Sequence, residues 1–206
     1  MSTDSPREDI APLYQEALTT FERLLDEARA SGDPEPTSMT LATADREGRV
    51  SARIVLLKGV DARGFRFFTN YTSAKGEQLA AHPQVALCFH WKTLREGVQV
   101  RVEGRVEQLS AAESDAYFAS RPRGSQIGAW ASLQSQPLAD RETFERRVAE
   151  IEARYRDQPV PRPPHWGGYV VAPDRIEFWY GANFRLHERV CYARRDAVWS
   201  KGLLYP

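Results

Sequence analysis

Arg185, His187 and Arg189 alternate along Arg185-Leu186-His187-Glu188-Arg189, and in an extended chain a period of two puts all three on one face. Three potentially cationic groups in a row repel one another unless an anion or an electron-rich ring stands opposite. The upstream run Glu177-Phe178-Trp179-Tyr180 offers large aromatics for a ligand wall; the plainer reading is an exposed edge strand blunted by charge. A second donor set is Tyr117-Phe118-Ala119-Ser120-Arg121-Pro122-Arg123-Gly124-Ser125-Gln126, where phenol, guanidinium and hydroxyl groups crowd around a helix exit. A planar fork for charge together with neutral hydroxyls is what a phosphate monoester requires. The third is Arg53-Ile54-Val55-Leu56-Leu57-Lys58, an apolar strand closed at both ends by a cation. Cations drawn out of water there need anionic partners, unless they merely cap the wet ends of the strand. A regular strand sends Arg53 and Lys58 to opposite faces, so serving adjoining ligands requires twist, a bulge or two protomers. Gln134-Ser135, after Ile127-Gly128-Ala129-Trp130, adds an amide and a hydroxyl.

Other chemistries find less support. Cys88 and His90 share a strand face, but no second ligand pair has metal-site spacing, so no metal is expected. GxSxG, HExxH, paired-carboxylate, GxGxxG and P-loop signatures are all missing, so any nucleotide is held another way. The 28 Lys+Arg balance 28 Asp+Glu over 206 residues, which argues against a nucleic-acid partner. The balance is uneven along the chain: residues 51–75 carry five cations against Asp61 alone, and residues 116–139 carry two arginines and no acid. Local cationic excess in a neutral protein suits small anionic ligands. Apolar runs such as Val85–Phe89 are too short for a membrane span. A polar N-terminus and two distant cysteines suit a reduced cytoplasmic protein.

The elements that must position these groups are legible in the periodicity. Residues 1–10 are expected to be loose and residues 11–206 to form one domain. Helical spacing predicts a helix over 12–30, with Gly32 past its end. Strands are expected over Met39–Ala44, Val50–Lys58, Phe65–Asn70, Val85–Trp91 and Val98–Gln108, with tight turns at 45–48 and 61–64. Ser73 caps a short helix Ala74–Ala81, Ser110 with Glu113 forms a capping box for a helix through Ala119, and a further helix covers Arg141–Arg156. After a Pro-rich loop, strands follow at Gly168–Val171, Arg175–Tyr180 and Arg189–Arg194. In 98–108 valines face one way and polar residues the other, the habit of antiparallel sheets with one wet face. A mainly β, α+β barrel with peripheral helices is the expected architecture.

Arg53–Lys58, Phe68-Thr69-Asn70, Ser120-Arg121-Pro122-Arg123 with Ser125-Gln126-Ile127-Gly128-Ala129-Trp130, Ile176-Glu177-Phe178-Trp179 and Arg185-Leu186-His187 together resemble the pyridoxine/pyridoxamine 5′-phosphate oxidase family, in order, from about Pro36 to Pro206. The resemblance implies an antiparallel Greek-key FMN-binding split barrel, a homodimer with FMN at the interface, and oxidation of phosphorylated B6 vitamers by O2 with release of hydrogen peroxide. It implies that Arg53, Lys75, Thr69, Gln134 and Ser135 hold the FMN phosphate, and that Phe68, Trp179 and Arg189 line the rest of the flavin site. Lys58, carried also among the cofactor contacts, would hold the substrate phosphate with Tyr117, Arg121 and Ser125. Arg185 and His187 would stand over the pyridine ring as the catalytic pair. The chain departs from the family pattern at Ala74, where an Arg is frequent, at Gly97, where a Gln commonly touches the flavin, and at Tyr180 and Glu188. Rival readings are a phenazine-type FMN oxidase, which would not need the Arg121/Ser125 phosphate site, and a non-catalytic flavin or haem binder.

Overall fold

The computed structural model describes residues 11–206, so the expectation for residues 1–10 lies outside it. Helix α1 (Pro12–Ala30) is followed by β1 (Ser38–Ala44), β2 (Val50–Leu56), β3 (Gly59–Asp61), β4 (Gly64–Asn70), α2 (Ala74–Ala81), β5 (Gln84–Trp91) and β6 (Val98–Gln108). Then come α3 (Ala111–Ser120), α4 (Arg123–Ala131), α5 (Arg141–Arg154), β7 (Trp166–Tyr180), β8 (Glu188–Arg195) and β9 (Val198–Leu204). The strands form one antiparallel sheet in the order β2-β1-β5-β6-β7-β4-β3, with β8 and β9 added beside β7. Among the described residues no helix is long and apolar enough to cross a membrane.

The main core lies where the inward stripe of α1 meets the sheet. Phe21, Leu24 and Ala28 are fully buried, and the Phe21 ring meets Phe65 and Phe89 edge-on at 4.8 and 4.9 Å. Truncating such an aromatic costs about 3–5 kcal/mol. A second cluster, Phe118, Ile127, Tyr155, Val160 and Trp166, is built where α3, α4 and α5 meet the start of β7. The capping box forms as expected: Ser110 Oγ accepts the Glu113 amide at 3.2 Å, and Glu113 Oε2 accepts the Ser110 amide at 3.1 Å.

Four features differ from the sequence expectation. The strand expected to run through Lys58 stops at Leu56 and the chain changes partners: the Leu57 amide donates to Thr37 and the Lys58 amide to Arg66 of β4, at 2.9 and 2.8 Å. The stretch read as two strands around Pro173 is the single β7, because Asp174 is an extra residue in a bulge opposite Glu103/Gly104 and the proline sits where no ladder donor is needed. Helix α4 went unread, since Pro122-Arg123-Gly124 resembles a turn; Pro122 in fact stands at its N-cap. Strand β9 lacks alternation, with five exposed positions out of seven, and forms by pairing with β8.

β7 is the trunk of the sheet. One edge pairs with β6 from Tyr169 to Tyr180; the other pairs with β4 before the bulge and β8 after it. Its 15 residues give roughly 50 Å of extended chain at about 3.3 Å each, so Trp166 and Trp179 lie toward opposite ends.

Candidate active site

A cavity of about 560 Å³ opens between β2, β4, α3, the start of α4 and the start of β7. Lys58, Phe68, Thr69, Lys75, Tyr117, Arg121, Ser125 and Gln134 all line it, together with Trp166 and Asn70. The size suits a small organic ligand.

Its wall is aromatic. Phe68 and Tyr117 stack with ring centres 3.9 Å apart, and Trp166 lies nearly parallel to Tyr117, 6.2 Å away. The guanidinium carbon of Arg121 sits 4.6 Å from the centre of the Trp166 ring, a cation–π contact that holds the fork in place without neutralising it. Gly168 faces Phe68 across β4 and β7; a Cβ there would come within 2.7 Å of the Phe68 ring, so only glycine lets that ring lie against the strand.

Two cationic clusters stand at the cavity: Lys75, with Arg53 near it but outside the lining, and Lys58 with Arg121. In the first, Arg53 donates to the Leu41 carbonyl, Thr43 Oγ1 and Gln78 Oε1 at 3.1, 2.6 and 3.0 Å. Lys75 Nζ donates to Gln134 Oε1 at 2.8 Å, and Thr69 Oγ1 reaches the same oxygen at 3.4 Å. Burial, then the charge of Arg53, push the Lys75 ammonium below the ordinary lysine range. Lys75 also occupies the first turn of α2, where the helix dipole disfavours a cation and favours an anion. The second cluster is Lys58, Arg121, Tyr117 and Ser125. Burial pushes the Arg121 guanidinium below its usual range, and its Nη1 is buried without a hydrogen-bond partner.

Among the described residues no carboxylate pairs with Arg53, Lys58, Lys75 or Arg121. Arg53, Lys75 and Arg121 are part-buried and Lys58 is exposed; cations that lose part of their water with no carboxylate beside them favour an arriving anion. The partner change at Leu57/Lys58 separates the two cations onto different pairings: Arg53 belongs to the β1/β2 pair, and Lys58, which lines the cavity, to a corner tied to β4.

The remaining sequence-predicted residues lie elsewhere. Ser135 follows Gln134 on the loop, with φ 73°, outside the cavity lining. Trp179, Arg185, His187 and Arg189 cluster at the far end of β7. His187 packs on Trp179 with ring centres 4.5 Å apart. Its Nδ1 accepts the Ala182 amide at 3.1 Å, which leaves Nε2 as the N–H in the neutral ring. Arg185 is not in an extended strand as the period-two argument assumed. It lies in a single helical turn, Asn183–Arg185, and both Phe184 and Arg185 adopt left-handed backbone angles, φ 57° and 63°. Such angles are costly for residues other than glycine; Phe184 is 93% exposed at the tip. Arg189 is engaged by buried Glu177.

Sequence reading missed Trp166 and the pair Thr43/Gln78 that grips Arg53. An aromatic directly before Gly167-Gly168 was the available signal for the first; the second needs the β1/β2 register, which no local pattern gives.

Residues 25–155 match the family described as pyridoxamine 5′-phosphate oxidase, and residues 166–206 match the pyridoxine 5′-phosphate oxidase C-terminal dimerisation region. The chain belongs to the pyridoxine/pyridoxamine 5′-phosphate oxidase family. It is 60% identical over 196 residues to a protein of that name from Xanthomonas campestris pv. campestris (strain 8004), covering 94% of this chain and 98% of the relative. Members of the family are oxidases, and this chain is an enzyme of that class. PhzG from Burkholderia lata 383, solved with tetrahydrophenazine-1-carboxylic acid, superimposes with a TM-score of 0.87 at 30% identity, covering 100% of this chain and 98% of that one. A pyridoxamine 5′-phosphate oxidase-related, FMN binding protein from Nostoc punctiforme PCC 73102 shares the fold, with a TM-score of 0.72 at 19% identity over 96% of this chain and 99% of that one. The architecture is the FMN-binding split barrel of the oxidase family, with its sheet not closed.

Proposed function

We propose that the chain oxidises pyridoxamine 5′-phosphate and pyridoxine 5′-phosphate to pyridoxal 5′-phosphate with FMN as cofactor. O2 is consumed and hydrogen peroxide released, with ammonia from the amine. One observation carries the reading: two carboxylate-free cationic clusters on one aromatic-walled cavity, matched in number to one phosphate on the cofactor and one on the substrate. The donor sets suit those groups. Arg53, Lys75, Thr69 and Gln134, with Ser135 beside them, take the FMN phosphate; Lys58, Arg121, Tyr117 and Ser125 take the substrate phosphate. Phe68 and Trp179 bear on the flavin, with Arg189 at its edge.

The chemistry supplied by bound FMN is acceptance of a hydride from substrate C4′ at N5, followed by reoxidation by O2. The protein's part is orientation and charge. Anchoring the phosphate through Arg121 and Lys58 uses binding energy remote from C4′ to fix the reacting carbon. Arg185 orients the ring and stabilises charge, and His187 presents its Nε2–H in support. A homodimer with FMN at the interface unites the groups: the far end of β7 on one protomer completes the cavity of the other. The dimerisation-region match supports that assembly, as do the exposed Phe184, Leu186, Leu203 and Tyr205 near it. Free Cys88 and Cys191 suit a reduced cytoplasm.

The structural likeness to PhzG keeps a phenazine-type oxidase as the rival reading. The Lys58/Arg121 cluster favours a phosphorylated substrate over it. The deciding assay is oxygen uptake by the purified yellow protein with pyridoxamine 5′-phosphate, with peroxide and pyridoxal 5′-phosphate formed in equal amounts. A colourless protein, or no uptake with either phosphorylated vitamer, refutes the proposal.

Lys75 makes FMN binding pH-dependent. A phosphate binds the charged ammonium, whose pKa in the free protein is lowered by burial and by Arg53. As pH rises through that lowered value the free protein loses the proton, and the FMN Kd climbs toward about tenfold per pH unit. Lys75→Met binds more weakly but with a flat profile across the same window. Fluorescence titration in a pH series reads this directly, and a flat wild-type profile would contradict it.

A further inference from the structure

Glu177 is a carboxylate only 2% exposed, on the outward face of β7, and no role in the proposed mechanism calls for it. It is surrounded by guanidinium groups. Oε1 accepts Arg189 Nε at 2.8 Å and pairs with Arg189 Nη2 at 2.7 Å. Oε2 accepts Arg175 Nη2 at 3.1 Å and faces Arg101 Nη1 at 3.5 Å. Burial raises the Glu177 pKa, but the hydrogen bonds from Arg189 and Arg175 outweigh that and hold it below the ordinary range, so the group is ionised.

The contact with Arg189 differs in kind from the others. Two N–H groups of one guanidinium close on a single carboxylate oxygen, and a third, on Nη1, donates to the Tyr205 carbonyl at 2.9 Å. A planar fork held at three N–H groups cannot rotate, and it stays 26% exposed. Arg189 lies directly across the β7/β8 ladder from Trp179, whose ring carries His187. The orientation of the guanidinium beside Trp179 in the ladder is therefore set by Glu177.

We propose that Glu177 is a positioning residue for the cofactor: it fixes the Arg189 guanidinium in the orientation that meets the flavin, and its negative charge keeps the Arg101, Arg175 and Arg189 cluster from repelling itself apart. This rests on the reading above that Arg189 borders FMN. Because Glu177 reaches the cofactor through Arg189, the test is a double-mutant cycle on FMN affinity, read by flavin fluorescence quenching on the full-length dimer. Glu177→Gln keeps the shape and removes the charge; Arg189→Met removes the guanidinium; Glu177→Asp keeps the charge with shorter reach.

The expected result is that E177Q raises the FMN Kd about tenfold and R189M at least as much. The double variant is no worse than R189M alone, because Glu177 acts through Arg189. E177D recovers part of the loss, which a purely structural role would not predict for a shortened buried side chain. Thermal unfolding of the apo dimers checks that each variant is assembled; should E177Q fail to assemble, the cycle is run with E177D in its place. A wild-type Kd for E177Q, or losses that add in the double variant, overturns the proposal alone. R189M binding FMN as the wild type does overturns it together with the placement of Arg189. A wild-type protein that does not bind FMN overturns the functional reading itself.

Discussion

Arg185→Leu is expected to lower kcat by about 10²–10³ while leaving FMN bound and KM little changed, because the lost group acts where charge develops and where the ring is aligned. The structure sharpens that expectation. Arg185 makes no hydrogen bond or ion pair through its side chain among the described residues, so its removal orphans nothing in the fold. It stands on a strained left-handed turn at the tip of the β7/β8 connection, projecting away from its own core. Stability measured by thermal unfolding should therefore match the wild type. Anaerobic stopped-flow reduction of the bound flavin by pyridoxamine 5′-phosphate is the measurement; reduction at the wild-type rate would remove Arg185 from the chemistry.

Arg121→Ala is expected to do the reverse, raising KM for phosphorylated substrate about 10- to 100-fold with kcat within a few-fold. The estimate follows from losing charge-assisted hydrogen bonds worth about 1.5–3 kcal/mol, at 1.4 kcal/mol per tenfold. The Arg121 guanidinium is set on Trp166 and carries a buried Nη1 without a partner, so in the free protein it is an unmet donor and its loss costs the fold little. Comparing pyridoxamine with its 5′-phosphate isolates the effect: the wild type should discriminate strongly between them and the variant weakly. Unaltered saturation by the phosphorylated substrate would place that phosphate elsewhere.

Much of the site was legible because its residue types are costly out of place. Arg121 and Ser125 at a helix exit and Lys58 beyond an apolar strand stand out before any fold is known, and the structure brings these three to one cavity, with Arg53 outside its lining. Strand periodicity was equally plain in 98–108, where Val98, Val100, Val102 and Val106 alternate with polar residues and Gly104 alone interrupts the valines between them. What stayed hidden depends on tertiary pairing. Pro173 reads as a break because a local rule cannot foresee that a bulge will absorb it. Helix α4 hides behind a Pro-Arg-Gly that looks like a turn, and β9 is a strand only because β8 offers it an edge. The extended face drawn for 185–189 failed at Arg185 for a related reason: the left-handed pair at 184–185 has no glycine or asparagine to betray it.

The change of partners between Leu57 and Lys58 has a consequence for how such a sequence can diverge. Each end of this short run is moored to a different neighbour, Thr37 on one side and Arg66 on the other. Substitutions within it leave the moorings in place, but a single inserted or deleted residue would swing either the arginine or the lysine out of its present position while both remained in the chain. The run tolerates change of letter and not change of length, and relatives that differ there by a gap should be expected to lose one of the two phosphate contacts proposed above even when every basic residue survives.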